Sequence, residues 1–138
     1  MAELGADDPD AWARSELQEN IAQQARYLVL RCIWRDTLSP WRDPGTLRHY
    51  EMLAELVQQG TDENLLAQAV RNVVYETLIA VIGVIDRECD PEAPDDAPGW
   101  RLMETAAADL SLTGRDVGGL HESLLETDPL GREAADFF

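Results

Sequence analysis

The chain predicts a mainly α-helical fold, a bundle of three main helices closed by a small C-terminal β-hairpin and a short helix. Three observations carry that expectation. Apolar residues recur at spacings of three and four through residues 17–38, 47–57 and 66–85. Proline, glycine and aspartate punctuate the joins between those runs. The segment 100–113 instead alternates apolar and polar residues in two short pieces. At 138 residues and 45% hydrophobic content, the chain has the length and core material of one domain, residues 1–138.

The first helix opens where Asp7 and Asp8 precede Pro9, a residue suited to a first helical turn. Leu17, Ile21, Ala25, Leu28 and Cys32 follow on one face. Tyr27, Leu30, Trp34 and Leu38 make a second stripe, so the helix is expected to end largely buried. The run "SPWRDPG" stops it. A second helix is expected from Asp43–Pro44, with Leu47, Tyr50, Leu53 or Ala54, Leu56 and Val57 on its apolar face and Gly60 as its C-terminal cap.

Thr61 is expected to cap the third helix, with Asp62 and Glu63 favouring its positive end. This helix carries two apolar stripes, Leu66/Val70/Val73/Thr77/Val81 and Val74/Leu78/Ile82/Ile85. Two stripes predict a central helix. The tail "VIGVI" is also compatible with a strand, but the helical period runs unbroken from Leu65.

Composition changes after Asp86. Residues 87–99 form an acidic, proline-rich stretch that reads as a solvated loop. "WRLME" (100–104) and "DLSLT" (109–113) read as a hairpin across an alanine run. "GGLHESLLETD" reads as a short helix ended by Pro129, and residues 131–138 as a flexible tail.

The formal net charge is −16, from 27 acidic and 11 basic residues. That balance opposes binding to nucleic acid and to anionic membranes, and suits a basic protein partner. The longest apolar run, "LIAVIGVI", has eight residues, against the roughly 20 a membrane-spanning helix needs. The N-terminal stretch "MAELGADDPD" has neither a basic nor an apolar leader region. A soluble, cytoplasmic protein is the expectation.

Few patterns support chemistry. His49 and His121 have Glu51 and Glu122 close in sequence, but helical neighbours one or two residues apart diverge and do not form a dyad. A catalytic histidine would need a carboxylate from another segment. Cys32 falls in an apolar stripe, and Cys89 lies between Glu88 and Asp90, which disfavour a thiolate. The two cysteines give no strong indication of a disulfide. Asp86, Glu88, Asp90 and Glu92 superficially suggest a calcium loop. Pro91 stands where that loop needs glycine, and Ala97 where it needs glutamate. No zinc spacing and no phosphate-binding lysine occur, because the chain contains no lysine. The expectation is no enzyme, no metal and no cofactor.

Two features rise above this background. Acidic residues gather in Glu3–Asp10, Asp86–Asp96 and Glu122–Asp136. A negative surface built from them would steer a basic partner. The expected partner-binding carboxylates are Asp86, Glu88, Asp90, Glu92, Asp95, Asp96, Glu122, Glu126 and Asp128. The chain also has four tryptophans, Trp12, Trp34, Trp41 and Trp100. Trp34 fits the core, whereas Trp12 and Trp41 are candidate interface anchors.

"AVRNVVYETLIAVIGVIDRE", "WRLME" and "GLHESLLE" together resemble a type of small uncharacterised bacterial protein. In these, a long helix closes on an aspartate-containing turn, followed by one or two strands and a terminal "LHE" helix. The resemblance covers residues 69–126 and implies no catalytic residues. In general type, small and acidic, the chain is similar to immunity proteins that neutralise bacterial toxins by covering a basic or catalytic surface. It implies an inhibitor acting by stoichiometric occlusion. A structural or regulatory homodimer is the alternative, in which the apolar surplus of the first and third helices packs against a second copy.

Overall fold

The computed structural model describes residues 9–131. The predicted acidic residues Glu3, Asp7 and Asp8, and those of the tail beyond 131, lie outside the described residues. The protein is mainly helical, with a two-stranded antiparallel hairpin and a short C-terminal helix.

The first predicted helix is two helices, α1 (Pro9–Glu19) and α2 (Gln23–Ile33). The break lies at Asn20, whose φ is +55°, a left-handed conformation that asparagine tolerates better than most residues. Glu16 helps restart the chain, its side chain accepting the Gln24 backbone N–H at 3.0 Å. Of the expected stripe, Leu17, Leu28 and Cys32 are exposed and Ile21 and Ala25 partly buried, while Tyr27 and Leu30 of the second stripe are buried. Cys32 and Cys89 are both exposed free thiols, which corrects the core placement of Cys32.

Beyond α2 the helix widens to a π turn over Trp34–Leu38, then tightens to 3-10 turns over Ser39–Arg42 and Pro44–His49. Trp34, Leu38 and Leu47 drop into the core. The second predicted helix thus begins later than expected, as α3 (Glu51–Gln58), and none of its residues is fully buried. Gly60 ends it with φ +97°.

The long helix α4 (Glu63–Arg87) is capped by Asp62 rather than Thr61. The Asp62 carboxylate accepts the Leu65 N–H at 2.8 Å. Tyr75 and Ile82 on its inner face join Ala22, Leu30, Trp34 and Leu38 in the core, with Val74, Leu78 and Ile85 packed against them. The other apolar stripe buries only in part. Leu66 and Val70 are partly buried, but Val73 is 66% exposed and Val81 51% exposed.

Strands β1 (Met103–Thr105) and β2 (Leu112–Asp116) pair antiparallel, Met103 opposite Asp116 and Thr105 opposite Leu112, with an irregularity between. Each begins about three residues later than alternation alone predicts. Arg115 ties this hairpin to α1, meeting Glu104 at 2.6 Å and Glu16 at 2.8 Å. Helix α5 (Leu120–Ser123) follows, entered through Gly119 at φ +69°. A Cβ there would also lie 3.2 Å from the Arg26 guanidinium, so glycine suits the position twice over. Leu120 and Leu124 are buried against the bundle. The Trp34 indole donates to the Leu124 carbonyl at 2.8 Å, fixing the chain beyond α5 to the core.

Candidate functional site

The predicted carboxylates divide into structural and exposed groups. Asp128 is fully buried and bonded to Arg42 at 3.0 Å, and its Oδ1 also accepts the Leu130 N–H. Arg42 in turn lies over the Trp34 ring, 5.7 Å from its centroid. Asp128 is therefore a fold-holding residue and not a surface contact. Asp86 is likewise turned inward, with 5% of its side chain exposed. Its Oδ2 accepts the His121 backbone N–H at 2.8 Å and meets His121 Nδ1 at 2.7 Å. Glu88, which takes left-handed φ +66° at the end of α4, pairs with Arg101 at 3.1 Å. Three of the nine expected contacts are thus engaged within the chain.

Asp90, Glu92, Asp95 and Asp96 are exposed, as are Glu122 and Glu126. Residues 88–99 contain five carboxylates and no cationic side chain. Local hydrogen bonds shape the loop. Asp90 accepts the Glu92 N–H at 3.0 Å in a short side-chain turn, and Trp100 N–H reaches the Glu88 carbonyl at 2.8 Å to close the base. Exposed carboxylates gathered without a cation favour a cationic side chain as partner.

The two expected anchors are packed within the chain and not fully exposed. Trp12 is partly buried, edge-on to Tyr27 with ring centroids 5.5 Å apart, and Trp41 is partly buried and stacked on Tyr50 at 5.2 Å. Both serve local packing. The exposed indole belongs to Trp100, at 39%. Its Nε1 donates to the Val84 carbonyl at 3.0 Å, which holds the ring against the last turn of α4. The position of Trp100 directly after the acidic loop was the available signal for this role.

His121 has the cross-segment carboxylate that the sequence could not locate. Asp86 holds Nδ1 and leaves Nε2 toward solvent, an arrangement that would orient a base. Neither His121 nor His49 lines the cavity of about 410 Å³ beside Glu16, Leu17 and Arg115, or the cavity of about 390 Å³ beside Trp41, Arg42 and Arg71. The side chain bonded to the imidazole is Asp86. His121 joins α5 to the end of α4.

The hairpin holds another charged cluster. Glu104 is held below the usual carboxylate range. Burial pushes its pKa up, but the Thr113 hydroxyl and the Arg115 guanidinium together outweigh that. Arg115 is raised, chiefly by the hydrogen bonds it donates to Glu104 and then to Glu16. This cluster joins α1 to β1 and β2.

No family model, curated protein or solved structure matches the chain.

Proposed function

We propose that the protein is a stoichiometric binding protein of the immunity type, which neutralises a basic-surfaced toxin or effector by covering it. The carrying observation is the exposed carboxylate set Asp90, Glu92, Asp95 and Asp96, on a loop that holds no cation to neutralise it. Exposed surface charge of one sign accelerates encounter with a partner of the other sign and fixes its orientation. Trp100, half-exposed at the foot of the same loop, supplies the aromatic anchor that a purely electrostatic contact lacks. Glu122 and Glu126 add charge from the C-terminal segment. Catalysis forms no part of this reading. The Asp86–His121 pair supports the fold, and the protein works by occupying its partner's surface.

The test is affinity capture from the producing cells with the wild type and with Asp90→Asn/Glu92→Gln/Asp95→Asn/Asp96→Asn. The wild type is expected to capture a basic protein at a one-to-one ratio, to abolish that protein's activity, and to release it in about 0.5 M salt. The variant is expected to lose it. Equal capture by both proteins, or capture of no basic protein, would overturn the proposal.

A further inference from the structure

We infer that the outer face of α4 is the docking surface for a second copy of this chain, laid antiparallel across a two-fold axis. This contact is separate from the acidic loop and takes a different occupant. Four observations converge on it.

The first is composition. Ala69, Val73, Thr77, Ala80 and Val84 follow one another at spacings of three and four along the exposed side of α4. Val73 and Val84 are large apolar groups in solvent, and the alanines between leave hollows of matching size. Under a two-fold axis at the middle of the helix, Val73 lies opposite Ala80 of the other copy, and Ala69 opposite Val84. That alternation of knob and hollow is self-complementary, as an isologous contact must be.

The second is charge. From Asn64 to Ile85 the helix has two ionisable charges, Arg71 and Glu76, in a chain whose residues are 28% charged. Arg71 is buried on the inner side, so Glu76 alone stands on the outer side. Depletion of charge marks the core of protein interfaces. A basic partner would find almost nothing to pair with here, whereas an identical neutral face meets no repulsion beyond Glu76.

The third is the arrangement of the ends. Asp62 and Glu63 stand at the N-terminus of α4 and Arg87 at its C-terminus. An antiparallel pair brings Arg87 of one copy toward the acidic start of the other, and opposes the two helix dipoles favourably. A parallel pair would place like ends together.

The fourth is size. The 25 residues of α4 make a rod about 37 Å long. A specific contact needs about 1,000 Å² in all. One helix face from each copy is small on that scale, so the dimer is expected to dissociate on dilution. The same helix is long and apolar enough to cross a bilayer by length and composition. Its buried Arg71, Tyr75 and Ile82 instead give it an inner face packed on the rest of the chain.

Sedimentation equilibrium on the full chain should show monomer passing to dimer as concentration rises into the high micromolar range. Val73→Glu/Val84→Glu should weaken dimerisation at least tenfold with an unchanged helical circular-dichroism signal. If that variant loses its fold, Ala69→Arg, on the same exposed side, takes its place. In a Cys32→Ser/Cys89→Ser background, copies carrying Ala69→Cys should crosslink to copies carrying Val84→Cys, and Val84→Cys copies should not crosslink to one another. A monomer at every concentration, a dimer indifferent to these substitutions, self-crosslinking through Val84→Cys, or co-sedimentation with phosphatidylcholine vesicles would overturn the inference.

Discussion

The outer face of α4 and the loop that follows it are joined end to end and are opposite in character. Between Asn64 and Ile85, one exposed carboxylate, Glu76, interrupts a run of alanine, valine and threonine. Between Glu88 and Gly99, five carboxylates crowd twelve residues without a cation. The first surface is unfavourably placed in water; the second is at home there. Water and salt therefore act on them in opposite directions. Screening removes the attraction of a basic partner for the loop. It also removes the mutual repulsion between two chains of net charge −16, and so favours contact through α4.

The largest expected effect sets the two sides of α4 against each other. Ile82 is 2% exposed on the inner side, so Ile82→Ala should cost about 2–4 kcal/mol in urea denaturation at low protein concentration. Val73→Ala, on the outer side, should change the stability of the monomer by less than about 0.5 kcal/mol. Similar costs for the two would mean that the outer face is packed within the chain, and the comparison would fail.

A smaller effect belongs to the Arg115 cluster, which keeps the hairpin against α1 and sets the frame from which the loop projects. Arg115→Gln should cost about 1–2 kcal/mol by removing the partner of Glu104 and Glu16. The pH dependence follows from Glu104, whose folded pKa lies below its ordinary value. Its stabilisation is complete above the unfolded pKa near about 4.3 and is lost as pH falls through the lower folded value. In acid titrations followed by circular dichroism, the gap between wild type and Arg115→Gln should therefore close. A gap that widens in acid would assign the cluster's stability to another group.

The smallest effect is on the loop itself. Asp90→Asn/Glu92→Gln/Asp95→Asn/Asp96→Asn should alter thermal stability by no more than about 0.5 kcal/mol, because these side chains are exposed. A marked destabilisation would make them structural and remove them as partner contacts.

How far such differences could be read in advance depended on local pattern. The stripe Tyr27/Leu30/Trp34/Leu38 lies unbroken within one helical segment and its continuation, and it is buried as its spacing predicts. The stripe starting at Leu17 crosses Asn20, where a left-handed residue breaks the helix, and its members Leu17 before the break and Leu28 and Cys32 after it are exposed. Periodicity carries no mark of such a break. Both stripes of α4 are visible in sequence, but which one faces the core depends on what packs there. The core that receives Tyr75 and Ile82 is assembled from α2, the π turn and α5, segments remote in the chain. Long-range pairs were equally hidden. Asp86 and His121 are 35 residues apart, and Arg42 and Asp128 are 86 apart. No spacing rule links them, and both aspartates read as surface charge until the fold turns them inward. Trp100 illustrates the reverse case. Its exposure follows from being pinned by its own backbone and ring nitrogens to the end of α4.

The measurement that bears most directly on this division of the surface is sedimentation velocity on the wild type at fixed high micromolar concentration, from about 0.05 M to about 0.5 M salt. The dimer fraction is expected to rise with salt, since the repulsion between two chains of net charge −16 outweighs the attraction of Arg87 for Asp62 and Glu63. A dimer that dissociates as salt rises, or a monomer throughout, would contradict it.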